Sequence, residues 1–311
     1  MLGRTADSLL WMARYLERID HTASLLDAGF RLEITGADES NVWHSVLVTA
    51  GLDEVFDELG VEPLRGAVLE FMLRDPENPS SIVSMIANVR ANANTARTTV
   101  PRSLMEALNE CCQEIVVLLA SPVSERELPQ VVRRLHRTTA QVQGVLQRTM
   151  LRGDAFRFYR LGTFIERADN TARILDVKYY VLLPAAEAVG SLVDRMQWEL
   201  ILRSVSALKS YTHEQSKDIT ASGIVEFIVL SRDLPRSLRY CAREISEHLH
   251  VLGQRRGPRP SQEVARALVA ELDEATVESI ISQGLHDFLE QFVDSVHGIG
   301  QQIEADYRFS E

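Results

Sequence analysis

The sequence predicts an all-α fold: a helical bundle built from two pseudo-symmetric copies of a roughly six-helix unit sharing one core. The first observation behind this is an echo. LERIDHTASLLD at residues 16–27 recurs as IERADNTARILD at residues 165–176, with seven of twelve positions identical. The second is that further matches follow in the same order. Trp43 answers Trp198, Glu70-Phe71 answers Glu226-Phe227, Pro79-x-Ser81 answers Pro235-x-Ser237, and Pro101 is echoed more loosely by Pro260. The separation climbs slowly from 149 residues at the first match to 159 at the last, and this colinear order is what marks a repeat. The third is composition: 45% hydrophobic residues but only 6% aromatics, with no long stretch of period-two alternation.

The elements follow in order. A helix is expected over residues 4–34, where Leu9, Met12, Leu16, Ile19, Ala23, Leu26 and Phe30 recur at spacings of three and four. Helices over 40–58 and 63–74 come next, the second stopped by Asp75-Pro76 and Asn78-Pro79. Val100-Pro101 separates 79–99 from 102–120, and Ser121-Pro122 precedes 126–150. In the second copy, 154–182 carries the matching stripe Phe158, Leu161, Ile165, Ala168, Ala172, Leu175 and Tyr179, and ends near Leu183-Pro184. Helices at 190–213, 221–231, 234–252, 261–283 and 285–307 complete it, with Gly257-Pro258 as a further break. The expected repeats are 1–152 and 153–311. No Pro/Gly/Ser-rich linker separates them, and a helical pattern runs through 127–183, so one compact structural unit is expected.

Charge and cysteines narrow the function. A net charge of −11 disfavours a nucleic-acid surface, which needs a basic stripe. No run reaches the roughly 18 apolar residues of a membrane span, and the first residues lack the pattern of a signal peptide, so a cytoplasmic protein is expected. Cys111, Cys112 and Cys241 read as reduced core thiols. The central helices hold no Glu-x-x-His pair, and no phosphate loop, nucleophile elbow or zinc motif occurs, so neither a metal nor a nucleotide is expected on this chain.

Glu17/Glu166 and Arg18/Arg167 are retained although they project away from the apolar stripe. A helix with one buried face gives no reason to keep them, so a second packed face is expected. Two readings are open. In one, the two central helices are joined by ion pairs, Glu17 or Glu166 answering Arg167 or Arg18. In the other, arginines hold a carboxylate or phosphate in fork geometry while glutamates receive an amine. A polar strip, Arg90, Asn94 and Arg97 with Asn88 and Asn92, lies opposite the apolar face of its helix. Asn is a poor helix former, so this strip reads either as part of a pocket or as an inter-helix or exposed polar face.

Met1-Leu2-Gly3-Arg4-Thr5-Ala6, Trp11-Met12-Ala13-Arg14-Tyr15-Leu16-Glu17-Arg18 and Thr22-Ala23-Ser24 together resemble the bacterial alpha-E family. So do Gly162, Ile165-Glu166-Arg167-Ala168-Asp169, Thr171-Ala172-Arg173, Ser204-Val205-Ser206-Ala207-Leu208 and Asp233-Leu234-Pro235-Arg236-Ser237-Leu238. Ala13 stands where the family usually has Gly, and Ser24 where it often has Arg. The resemblance implies an all-helical protein working beside a circularly permuted ATP-grasp protein, with a transglutaminase-like protein or a proteasome-like peptidase as further neighbours. It implies a helical subunit of an amide or peptide ligase system, with ATP and Mg²⁺ on the ATP-grasp partner and no cofactor in this chain. Candidate substrate-binding residues are Arg14, Arg18, Arg90, Asn94, Arg97, Arg167, Asp169, Asn170 and Arg173. Glu17 and Glu166 are the candidate catalytic residues; the alternatives are a stand-alone enzyme using one of them as general base, or a purely structural scaffold.

Overall fold

The structure is a computed structural model that describes residues 3–180, 192–214 and 219–309. Helix is the regular structure of the described residues, with no strand among them. The helices are α1 (Gly3–Ile34), α2 (Glu39–Ala50), α3 (Asp53–Asp57), α4 (Arg65–Leu73), α5 (Ile82–Thr95), α6 (Arg102–Leu118) and α7 (Leu128–Thr149). They continue as α8 (Asp154–Tyr180), α9 (Leu192–Ser204), α10 (Leu208–Glu214), α11 (Ala221–Val225), α12 (Leu238–Arg256), α13 (Pro260–Glu274), α14 (Val277–Gln283) and α15 (Leu285–Tyr307). A single π-helical turn, Glu226–Leu230, prolongs α11.

Three expected helices are each divided in two, by local chemistry that an apolar pattern does not register. The helix expected at 40–58 ends at Gly51, whose left-handed backbone (φ 66°) lets its N–H reach the carbonyls of Leu47 and Val48. The one expected at 190–213 breaks around Ser206, also left-handed at φ 56°. The one expected at 261–283 stops at Ala275, and a new helix begins at a Thr276/Ser279 capping box. The Leu183-Pro184 break and the Tyr179 side chain lie outside what is described.

α1 and α8 form the centre, and their mutual contact is the most extensive in the described chain. They run parallel, because contacts advance together along both: the Leu10 carbonyl lies against Gly162, and Glu17 meets Arg167. Around α1 pack α5 and α7, with α6 against both; around α8 pack α12 and α15, with α13 against both. α5 and α12 start alike, at the fully buried Ser81 and Ser237, whose hydroxyls accept the N–H of Ser84 and Tyr240. The apolar stripes fill the centre: Leu9, Met12, Leu16, Ile19, Ala23 and Leu26, with Phe158, Leu161, Ile165, Ala168, Ala172 and Leu175, are all buried. Phe30 is the half-buried end of its row. Buried apolar residues from Ala6 to Phe309 make one contiguous cluster, so the two halves of the chain share a core.

The three cysteines are free and buried within it. Burial pushes the Cys111 and Cys241 thiols up to about 12 and Cys112 to about 11, so none is a thiolate near neutrality. No described helix is long and apolar enough to cross a membrane.

Candidate functional site

Glu17 and Arg18 are neighbours on one helix, about 100° apart around its axis, and so cannot face each other. The same holds for Glu166 and Arg167. Laid side by side in parallel, the helices resolve this by exchange. Glu17 of α1 takes a two-pronged grip from Arg167 of α8, Nε to Oε1 at 2.8 Å and Nη2 to Oε2 at 2.9 Å. Glu166 of α8 takes the same grip from Arg18 of α1, Nε to Oε1 at 2.6 Å and Nη2 to Oε2 at 2.9 Å. The carboxylates lie underneath and the guanidiniums toward the surface: Glu17 and Glu166 are 0% and 1% exposed, Arg167 and Arg18 12% and 28%. Of the two open readings, the geometry realises the ion pairs between central helices.

Further donors complete each grip. Arg14 Nε reaches Glu166 Oε2 at 2.9 Å, its guanidinium resting over the Trp11 ring. Arg236 Nη1 lies 3.1 Å from Glu17 Oε1, and Gln143 Nε2 donates to Glu17 Oε2 at 3.3 Å. Arg236 also donates to Asp20 Oδ2 at 2.8 Å. One turn beyond the grip, Asp20 meets His136 Nδ1 at 2.7 Å and accepts from the Thr139 hydroxyl, both on α7. On α8, Asp169 holds Arg173 Nε at 2.9 Å and His297 Nε2, on α15, at 3.0 Å.

Burial alone would raise the Glu17 carboxyl, but the charges of Arg167 and Arg236 outweigh it and hold it below its ordinary value. A general base needs a raised pKa and a free lone pair. Glu17 has the opposite: its oxygens already receive N–H groups from Arg167 and Gln143, and Arg236 is paired with it by charge. Glu166 is likewise engaged at both oxygens. Among the described residues no group of three or more His, Cys, Asp or Glu is placed to hold a metal ion.

Of the residues singled out from sequence, Arg14, Arg18, Arg167, Glu17 and Glu166 come together, with Asp169 and Arg173 one to two turns along α8. Asn170 is buried there, its Nδ2 without a partner, as is the Nε2 of the buried His21. Arg90, Asn94 and Arg97 do not join them: they lie exposed on α5 and just past its end, because the α5 face that packs inward is the apolar one of Ile82, Met85, Ile86, Val89 and Ala93. That grouping is corrected. Sequence reading named Arg236 only within a family segment and passed over Gln143, His136 and His297. A signal existed for the histidines, which stand 161 residues apart, continuing the drift of the repeat. Arg236 could have been found as a departure, since its counterpart in the echo is Ser80.

These groups set an expected acid response. Burial, aided by the charge of Arg236, lowers His21 from an ordinary 6.5 to about 4. Burial, aided by Arg157, lowers His248 to about 3, consistent with Arg157 donating to its Nδ1. An imidazole with a lowered pKa protonates first in the unfolded chain, so its contribution is intact above pH 6.5 and is lost as pH falls, for His21 between 6.5 and about 4. Asp20 behaves differently. Burial would raise it, but the His136 hydrogen bond and the Arg236 charge hold it at about 2 against an ordinary 3.8, so its contribution is lost only between those values. The expected losses are about 3 kcal/mol for His21 and about 2 kcal/mol for Asp20. Urea unfolding across pH should show the first fall beginning near 6.5. His21→Asn should flatten that limb by about one proton while leaving the limb below pH 4 in place.

Fold and site define an all-helical domain whose two central helices interlock through exchanged Glu-Arg pairs. The chain belongs to the Alpha-E family, described as a predicted alpha-helical domain with a conserved ER motif, which matches residues 1–307. Glu-Arg occurs three times in the sequence, and the two occurrences on α1 and α8 carry buried glutamates, whereas Glu125-Arg126 is exposed. Neither the comparison with curated proteins nor that with solved structures returns a match.

Proposed function

We propose that this chain is a helical subunit of an ATP-grasp amide or peptide ligase system, acting in the cytoplasm, which docks on the ligase and helps form an amino-acid or peptide substrate site. The observation that carries this reading is the saturation of both glutamates. With every carboxylate oxygen engaged and Glu17 held below its ordinary pKa, the family's distinctive residues are suited to fixing two helices and a rim of guanidiniums, not to taking a proton from substrate. This argues against the stand-alone general-base enzyme.

In this reading ATP and Mg²⁺ belong to a circularly permuted ATP-grasp partner, with a transglutaminase-like protein as a further neighbour. The net charge of −11 suits docking on a basic face of that partner. Residues 1–152 and 153–311 are two copies of one helical unit related by a pseudo-two-fold axis between α1 and α8. The crossed Glu17–Arg167 and Glu166–Arg18 pairs support that axis, since such exchange is what a two-fold produces. The meeting of Ala13 with Gly162, aligned positions in the echo, supports it too.

Co-expression with the neighbouring ATP-grasp protein tests the proposal. A stable complex is expected, forming an ATP-dependent amide product that mass spectrometry detects from a panel of amino acids. Turnover of amino acids by this chain alone, or failure of the two proteins to associate, would remove the reading.

A further inference from the structure

Between α8 and α15, beyond the Asp169–His297 contact, lies an open cleft of about 280 Å³. Ala172, Leu289 and Val293 give it an apolar lining. Its charges come from two sides: Arg173 and Asp176 on α8, Glu290 and Asp294 on α15. Each pair is three or four residues apart, and so shares a helix face. The volume is near the lower end for a small-ligand site.

The Arg173 guanidinium keeps donors in reserve. Its Nε is committed to Asp169, which fixes the plane; Nη1 lies on the side of Gly51, at the end of α2, and neither terminal nitrogen makes a hydrogen bond to another described residue. Opposite in sign, Asp176 is tied through Oδ1 to His286 Nδ1 at 2.9 Å, and Glu290 Oε2 lies 3.4 Å from Nε2 of the same ring. His286 thus holds two carboxylates beside the cleft. Burial raises the Asp176 carboxyl against the pull of His286, and Glu290 adds to the rise, so this group gains from a cation brought close. Asp294, exposed, adds a third carboxylate.

One guanidinium against three carboxylates selects a ligand with a carboxylate and more than one ammonium. We propose that this cleft binds a small diamino acid or the diamino-acid end of a peptide, its carboxylate on the terminal nitrogens of Arg173 and its ammonium groups on Asp176, Glu290 and Asp294. The assignment rests on reading the chain as part of an amino-acid or peptide site, and names the ligand class. One site per chain is expected, because the residue of α1 that matches Arg173 is Ser24, whose hydroxyl is spent on the backbone carbonyl of Asp20.

Calorimetric titration of the full chain with L-lysine, norleucine, cadaverine and glutarate tests it. Lysine should bind at one site; norleucine, lacking the second ammonium, and cadaverine, lacking the carboxylate, should each bind roughly tenfold to hundredfold more weakly. Glutarate should not bind. Arg173→Met should remove the advantage of lysine over cadaverine while leaving cadaverine bound no more weakly than before. Asp294→Asn, at an exposed position, should weaken both amines, and keeps the test open should Arg173→Met fail to fold. Absence of lysine binding up to about 10 mM, or equal affinity for lysine and norleucine, overturns the assignment. A chain that binds lysine but forms no complex with the ATP-grasp protein keeps this site and loses the proposed function. An active complex whose chain ignores lysine does the reverse.

Discussion

Glu17→Ala should lower the free energy of unfolding by about 3–5 kcal/mol, the range for removing one partner of a buried ion pair. The wild-type pair need not be strongly stabilising in itself, because desolvating a carboxylate and a guanidinium offsets most of their attraction. The cost arises from what remains. Arg167 and Arg236, at 12% and 16% exposure, would face each other over an empty position, Arg167 without its carboxylate and Arg236 left with Asp20 alone. Adding Arg167→Met to Glu17→Ala should therefore recover part of the loss, and urea denaturation of the two single variants and the double would measure the coupling. Glu166→Ala should cost less, since Arg18 is 28% exposed and can turn to water. Equal losses for the two glutamates, with no recovery in the double variant, would contradict the exchange as the source of stability.

Gly162→Ala should destabilise the fold by about 2 kcal/mol or more, against the usual sign of a Gly to Ala change in a helix. Helix propensity alone favours Ala by about 1 kcal/mol. At this position a Cβ would lie 2.1 Å from the Leu10 carbonyl oxygen and 3.1 Å from the Ala13 Cβ. The obstruction is backbone, which cannot swing aside, so α1 and α8 would have to separate. Glu166 and Arg167 follow one turn later, and wider spacing there would lengthen both crossed pairs. Gly144, in α7, is the control: a Cβ there meets nothing within 4 Å, so Gly144→Ala should stabilise by up to about 1 kcal/mol. Thermal unfolding of the two variants should move in opposite directions.

Much of the fold was legible because helices announce themselves locally. The stripes from Leu9 to Leu26 and from Phe158 to Leu175 were readable as buried faces, and every residue of those two stripes is buried. Retention of Glu17, Arg18, Glu166 and Arg167 away from those stripes pointed to a second packed face, and α1 and α8 meet there. Misreadings arose where one residue decides: Gly51, Ser206 and Thr276 each end or restart a helix through backbone geometry or a capping hydroxyl. The α5 strip misled for a different reason. Periodicity identifies a polar face, but says nothing of whether that face meets another helix or water, and Arg90, Asn94 and Arg97 meet water.

By itself the sequence determined the helices, their buried faces, the echo between halves and the residue types that had to be answered across an interface. Tertiary structure alone decided the answers: Glu17 with Arg167, Glu166 with Arg18, and Arg236 from a distant turn onto Glu17 and Asp20. The reason is physical. A side chain's face is set by the 100° step of its own helix, whereas its partner is set by the direction and spacing of the neighbouring helix. Here both depend on backbone approaching backbone at Gly162.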